Sequence, residues 1–241
     1  MKPDIRNHYP IKFEFLGRKD YKEVWDYQEL LFKQIVNDKL SRREAPKNDT
    51  PSVSHHLLFV EHPHVYTLGK SGDENNLLMN AIQLKAQEAD FYKINRGGDI
   101  TYHGPGQLVG YPIIDLERYG LGVREYIERL EEVIIASLDA FGIKAYRMEG
   151  ATGVWLDPEI PGKSRKICAI GVRISRYVTM HGFALNINTD LNYFTHINPC
   201  GFMDKGVTSM EKELGEKQDF NRVAEVVKQK MAEVFGFEFV E

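Results

Sequence analysis

Between Lys144 and Asn186 the chain carries four strand-like runs almost back to back: Lys144 to Met148, Gly153 to Leu156, Lys166 to Ile174 and Val178 to Asn186. No helix-length segment separates them, so neighbours pair through short turns and not through helical crossovers. The strongest helical pattern precedes this block, where Val123, Ile127, Leu130, Ile134, Leu138 and Phe141 fall on one stripe and Gly142 stops it. A second follows from about Asn221 to Phe235, with Asp219 as its cap and Val223, Val227, Met231 and Val234 on its apolar side. Both stripes read as core. Strands grouped between flanking helices predict an α+β fold, a mixed β-sheet with helices against it. There is no internal repeat, and 241 residues bury one generous core, so a single domain over residues 1–241 is expected. Asp157 to Ser164, with two prolines and a glycine, reads as a surface loop and not as a linker.

In the first third, Asp20 and Glu23 make a capping box ahead of Val24, Tyr27, Leu31 and Ile35, which predicts a helix through about Leu40. Lys39 to Pro51 reads as an exposed charged connection. Val53 to Glu61 and Val65 to Leu68 read as strands. A formal net charge of -4, without a long basic run, argues against a nucleic-acid surface. No apolar run approaches the ~18 residues of a membrane span, and Met1 to Pro10 is polar, so a cytoplasmic protein is expected. The two cysteines are expected as free thiols. His55, His56, His62 and His64 raise a metal question, but no ligand spacing accompanies them; they read as structural, and no metal is expected.

Three segments carry chemistry. Arg96-Gly97-Gly98-Asp99-Ile100-Thr101-Tyr102-His103-Gly104-Pro105-Gly106-Gln107 packs four glycines and a proline into twelve positions. Such a backbone turns sharply and lets a ligand approach main-chain N–H groups, although the segment is neither a P-loop nor a dinucleotide fingerprint. Arg96 and His103 either bind an anion or carbonyl, or tie the loop to its neighbours. In Ser164 to Val172, strand alternation puts Lys166, Cys168 and Ile170 on one face. Lys166 is then an edge charge or a buried, working amine. In the third segment, Pro199 and Gly201 make a loop around Cys200, and Thr208 with Glu211 forms a capping box for a short helix toward Leu214. A loop thiol near a helix start ionises more easily than one in an apolar strand, so Cys200 is a better nucleophile than Cys168. Composition alone leaves Cys168 open.

Taken together, Arg-Gly-Gly-Asp-Ile-Thr-Tyr-His-Gly-Pro-Gly-Gln from Arg96, Arg-Lys-Ile-Cys-Ala-Ile-Gly-Val from Arg165, His-Gly-Phe-Ala-Leu-Asn from His181, and Pro-Cys-Gly with Gly-Val-Thr-Ser from Pro199 closely resemble the lipoyl (octanoyl) transferase family. These enzymes are relatives of the biotin and lipoate protein ligases, and the resemblance implies a biotin/lipoate-ligase-like catalytic fold. It also implies transfer of octanoyl, or lipoyl, from the phosphopantetheine thioester of acyl carrier protein to a lysine. The implied acceptors are the lipoyl domains of 2-oxoacid dehydrogenase complexes and the glycine cleavage H protein. Cys200 matches the acyl-thioester cysteine and Lys166 its partner. Arg96, Gly97, Gly98, Asp99, Ile100, Thr101, Tyr102 and His103, then Ala169, Ile170 and Gly171, then Gly182, Phe183 and Ala184, match segments lining the acyl-substrate site. The chain departs from the family in a longer loop at Asp157 to Ser164 and in a cysteine at 168.

The implied chemistry is self-consistent. Exchange of thioesters is nearly balanced and amide formation from a thioester runs downhill, so neither ATP nor another cofactor is expected. A protonated lysine ~4 Å from the sulfur offers at most ~4 kcal/mol at an effective dielectric of ~20, about 3 pKa units. Lys163, Arg165, Arg173 and Arg176 form a basic group in the sequence that either steers an acidic carrier protein or is a solvated edge. A monomer suffices. The rival readings are an ATP-dependent lipoate or biotin ligase holding an acyl-adenylate, and a thioester-binding or thiol hydrolase module.

Overall fold

The computed structural model describes residues 10–44, 54–198 and 205–240. Strand β1 (Pro10–Arg18) leads into α1 (Tyr21–Glu44), followed by β2 (His55–Glu61) and β3 (Val65–Leu68). A short α2 (Ala81–Ala86) precedes β4 (Asp90–Lys93), β5 (Ile100–His103) and β6 (Gln107–Ile113). Then come α3 (Val123–Asp139), β7 (Val154–Leu156), β8 (Arg165–Ser175), β9 (Val178–Asn186) and β10 (Gly206–Val207). The chain ends in α4 (Met210–Leu214), α5 (Phe220–Phe235) and β11 (Glu238–Val240).

A large mixed sheet runs β10-β8-β9-β6-β2-β1-β11, with β7 also paired to β8. Its centre, β2-β6-β9-β8, is antiparallel, while β1 lies parallel to both β2 and β11. A small sheet, β4-β3-β5, stands beside it. On one face of the large sheet, Tyr126, Leu130, Ile134 and Leu138 of α3 and Val223, Val227 and Met231 of α5 meet Phe59, Leu108, Phe183 and Leu185. On the other, Val24, Leu31, Phe32 and Ile35 of α1 cover Leu58, Val109, Tyr111, Met180 and Ala184. Period-3.6 stripes thus close both sides of a period-2 sheet, as the α+β expectation requires.

The caps follow their side-chain chemistry. Asp20 Oδ1 accepts from Glu23 N at 3.0 Å, and Asp219 Oδ1 accepts from Asn221 N and Arg222 N at 3.0 and 3.1 Å. Four local expectations change. Lys144 to Met148 is not a strand: only Tyr146 bridges to Trp155, through one pair of backbone hydrogen bonds at 2.8 and 2.9 Å. Val123, at the head of its stripe, is exposed, and Tyr126 and Val133 fill the helix's inner side instead. The cap of α4 is Ser209, whose hydroxyl accepts from Lys212 N, while Thr208 donates its hydroxyl to Glu213.

Lys39 is the fourth. It belongs to α1 and is buried, its ammonium donating to Asp115 Oδ1 at 2.7 Å and to the Arg176 carbonyl at 2.8 Å, with Glu117 Oε2 at 2.9 Å. Residues 45–51 of the expected connection lie outside the described residues. The ammonium ties α1 to the β8–β9 turn, so Lys39→Met, which strands a buried carboxylate, is expected to cost about 3 kcal/mol. An unchanged urea midpoint would show that the ion pair adds nothing.

Candidate active site

A cavity of about 500 Å³ opens between the α1 side of the large sheet and the small sheet, a size suited to a small organic ligand. Its walls come from β6, β8 and β9, from residues 96–101 and His103, from Tyr21 at the head of α1, and from residues 194, 197–198 and 205–207. Apolar and small side chains dominate the middle, among them Val109, Ala169 and Ala184.

Lys166 stands at one end of this cavity, but not for the reason alternation suggested. Val154 pairs with Cys168 whereas its neighbour Trp155 pairs with Lys166, so Ile167 is an extra residue in β8, a β-bulge. Beyond a bulge every side chain changes face. Cys168 therefore points into the helix-side core with Ile167 beside it, while Lys166 joins Ala169 and Gly171 in lining the cavity. Its ammonium lies 4.6 Å from the centre of the Trp155 ring and donates to the Thr152 carbonyl at 3.2 Å. Burial lowers its pKa to about 8, with Cys168 partly opposing. An ordinary lysine near 10.4 is almost wholly protonated at pH 7.5; at about 8, roughly a quarter is free amine. Cys168, by contrast, is fully buried, and desolvation pushes its thiol up, out of reach of nucleophilic chemistry at neutral pH.

The glycine-rich segment is half loop and half strand, because Ile100–His103 pairs with β3. Its loop part is moored to the sheet, Gly97 N donating to Val172 O at 2.9 Å. Gly171 permits this: a Cβ there would stand 3.1 Å from Arg96 Cδ and 3.2 Å from Gly97 O. At Gly182 a Cβ would overlap Gly110 O at 2.1 Å. Both glycines serve close backbone approach, which sets the cavity's width before any ligand enters. Arg96 takes the tethering alternative: it is buried and donates to Thr67 O at 2.7 Å, Thr67 Oγ1 at 3.0 Å and Gly97 O at 3.0 Å. Asp99 accepts from Asn76 Nδ2 at 3.0 and 2.9 Å.

His103 Nδ1 lies 2.8 Å from Gln107 Oε1, and Gln107 Nε2 donates to Asn186 Oδ1 at 2.9 Å. Burial lowers the pKa of His103 and of His181 to about 3 and that of His62 to about 4, so these imidazoles are neutral at pH 7, beside the Arg96 guanidinium.

Of the residues singled out, Arg96 to Thr101, His103, Lys166, Ala169 to Gly171 and Gly182 to Ala184 all line the one cavity. Tyr102 does not. Its side chain turns to the far side of β5, stacking on Tyr193 with ring centres 4.9 Å apart, and its hydroxyl lies 2.7 Å from His64 Nδ1. Residues the motifs missed are Tyr21, Tyr111, Thr152 and Trp155. They come from a helix start, from strands β6 and β7 and from the turn before β7, outside the three segments, so only the packing reveals them. Cys200 lies outside the described residues, as do Pro199 and Gly201; Asn198 and Lys205, on either side of them, both line the cavity.

Two other groups disperse. His55 turns to Tyr119, His56 to Glu14, His62 to Tyr111 and His64 to Tyr102 and Tyr193, and among the described residues no three His, Cys, Asp or Glu side chains are placed to hold a metal. The basic group is spread along β8, whose ends stand roughly 33 Å apart. Arg165 is held by Glu213, at 2.7 and 2.6 Å, and by Asp157, and Arg173 by Glu29 at 2.6 Å.

The model of the lipoyl protein ligase A/B catalytic domain matches residues 20–232. The chain belongs to this family. Among curated members, the octanoyltransferase of Flavobacterium johnsoniae is 55% identical over 231 residues, 95% of this chain and 98% of the relative. That of Christiangramia forsetii is 56% identical over 230 residues, 95% and 97% of the two chains. Solved structures share the fold at much lower identity. The bi-partite lipoate protein ligase of Thermoplasma acidophilum superposes with a TM-score of 0.68 at 15% identity, over 97% of this chain and 87% of that one. P. falciparum LipL1, in complex with lipoate, gives 0.68 at 12% over 94% and 62%. The lipoyl ligase A/B fold is thus the frame that sets Lys166 opposite the glycine-rich segment. No helix among the described residues is long and apolar enough to cross a membrane.

Proposed function

We propose that the protein is an octanoyltransferase of protein lipoylation that passes its acyl group through a thioester on Cys200. The donor is the phosphopantetheine thioester of acyl carrier protein. The acceptors are lysines of lipoyl domains, in 2-oxoacid dehydrogenase complexes and the glycine cleavage H protein, and the reaction belongs in the cytoplasm. Relatives more than half identical over nearly their whole lengths carry the octanoyltransferase name, whereas the kinship to ATP-using ligases is one of fold. The observation that carries the reading is a lysine of lowered pKa in the wall of a cavity that the residues on both sides of Cys200 also line.

In the first half, the Cys200 thiolate adds to the donor's carbonyl carbon, the carbon–sulfur bond to phosphopantetheine breaks, and the departing thiolate takes the proton of the Lys166 ammonium, leaving a neutral amine. In the second, the acceptor's neutral amine adds to the acyl-enzyme, its excess proton goes to the Lys166 amine, and the Cys200 thiolate leaves. Because Lys166 titrates near pH 8, its charge is not permanent: protonated, it favours the thiolate, and neutral, it accepts the proton. One buried amine serves both halves. The first step exchanges one thioester for another and the second runs downhill from thioester to amide, so the route needs no ATP.

Intact-mass measurement after mixing with octanoyl carrier protein tests this. One added octanoyl group is expected on the native chain and none on Cys200→Ala. An adduct on both proteins would remove Cys200 from the mechanism.

A further inference from the structure

The cavity is walled along β8 and closed in part by rings held in place. From Lys166 it follows β8 to Gly171, which pairs with Gly182 of β9. Tyr111 of β6 stands next to Gly110, the partner of Phe183, and so falls in line with this pair. Lys166 and Gly171 are five residues apart, roughly 16 Å of extended strand, slightly less with the bulge. There the cavity meets two rings: Tyr111 and His181 have centres 6.5 Å apart, and both line it. Neither ring is free to swing. His62 Nε2 lies 2.9 Å from the Tyr111 hydroxyl, His181 Nε2 lies 2.8 Å from Asn95 Oδ1, and the His181 N–H donates to Gln28 Oε1 at 3.1 Å.

We propose that Tyr111 and His181 are the stop that selects acyl chain length, with Lys166 at the other end of the ruler. An extended octanoyl group is about 9 Å from carbonyl carbon to methyl, from C–C bonds of ~1.5 Å. Adding about 3 Å from the Lys166 amine to the reacting centre and about 4 Å from the methyl to a ring gives roughly 16 Å. Each further methylene lengthens this reach by about 1.3 Å and presses the methyl against the rings. Each methylene that a rigid pocket admits or refuses changes relative rates about tenfold or more. The walls between the ends are small: Ala169 pairs with Ala184, and both face the cavity, so a larger side chain at 169 shortens the ruler.

The inference rests on the octanoyl-transfer reading, and its test separates the two. Carrier-protein thioesters of six, eight, ten and twelve carbons are offered to the native chain, to His181→Ala and to Ala169→Leu, and transfer to a lipoyl domain is followed by intact mass. Calorimetric titration with the free fatty acids gives a readout independent of turnover. His181→Ala is expected to raise the ten-to-eight carbon ratio at least tenfold. Ala169→Leu is expected to raise the six-to-eight ratio by a similar factor, and binding is expected to move the same way. Native transfer with unchanged ratios in both variants would overturn the ruler and leave the transferase reading standing. Absence of native transfer with length-selective binding would do the reverse. If His181→Ala fails to fold, Ala169→Leu decides alone.

Discussion

Lys166→Arg will lower turnover by roughly 10²- to 10⁴-fold, the usual contribution of a positioned general base, while the charge at that site is kept. Arginine stays protonated at every working pH and cannot accept the acceptor's proton. The loss is expected in the second half-reaction, measured by mixing preformed octanoyl-enzyme with a lipoyl domain and following amide formation. The pH profile adds a second readout. Because burial holds the Lys166 pKa at about 8, the native rate should show an inflection near pH 8. That inflection sits on the steady rise caused by deprotonation of the acceptor lysine, whose ordinary pKa is ~10.4. The variant should lose the inflection near 8. Amide formation at the native rate in Lys166→Arg, or an inflection that survives the substitution, would remove the proton-transfer role.

Mild acid will unfold the protein well before its carboxylates titrate. Burial holds His55, His103 and His181 at about 3 and His62 at about 4, whereas in the unfolded chain each imidazole titrates near 6.5. Above pH 6.5 both states carry neutral rings and the full stability is present. As pH falls from 6.5 toward 4, the unfolded chain binds protons that the folded chain refuses, and stability drops by about 1.4 kcal/mol per unit for each ring. At pH 5.5 the four together remove about 5 kcal/mol. For a chain of this length that lowers Tm by roughly 10–20 °C between pH 7.5 and 5.5. A shift of less than about 3 °C would mean that these rings gain protons inside the folded protein.

Those histidines also mark where local sequence stops being informative. His55, His56, His62 and His64 sit close together in the chain, yet their side chains go to four different neighbours, because β2, the following turn and β3 belong to two sheets. Lys39 sat among charges and prolines and read as solvated, but α1 runs on to Glu44 and places it against Asp115, 76 residues away. Lys163, Arg165, Arg173 and Arg176 looked like a basic patch only because the chain was not yet extended along β8. Their roles depend on contacts that no window of sequence contains.

What the sequence determined by itself is whatever depends on periodicity, turn chemistry and motif order. The stripes of α3 and α5 stood at period 3.6, β3 and β9 begin and end where their apolar runs do, and Asp20 and Asp219 cap the helices they precede. The glycine-rich segment was legible as site material from its turns, while the Lys166 and His181 strands were legible only through the family motifs that they match in order. Tertiary structure decided which side chains meet. A single extra residue at Ile167 sends Lys166 into the cavity and Cys168 into the core, reversing what strict alternation implied. Tyr102, inside the strongest motif, turns away, and Tyr111 and Tyr21, outside every motif, turn in. For the strand residues the physical reason is direction. A strand's side-chain direction has a period of two, so one bulge or one change of sheet inverts it, and only the partner strands show where that occurs.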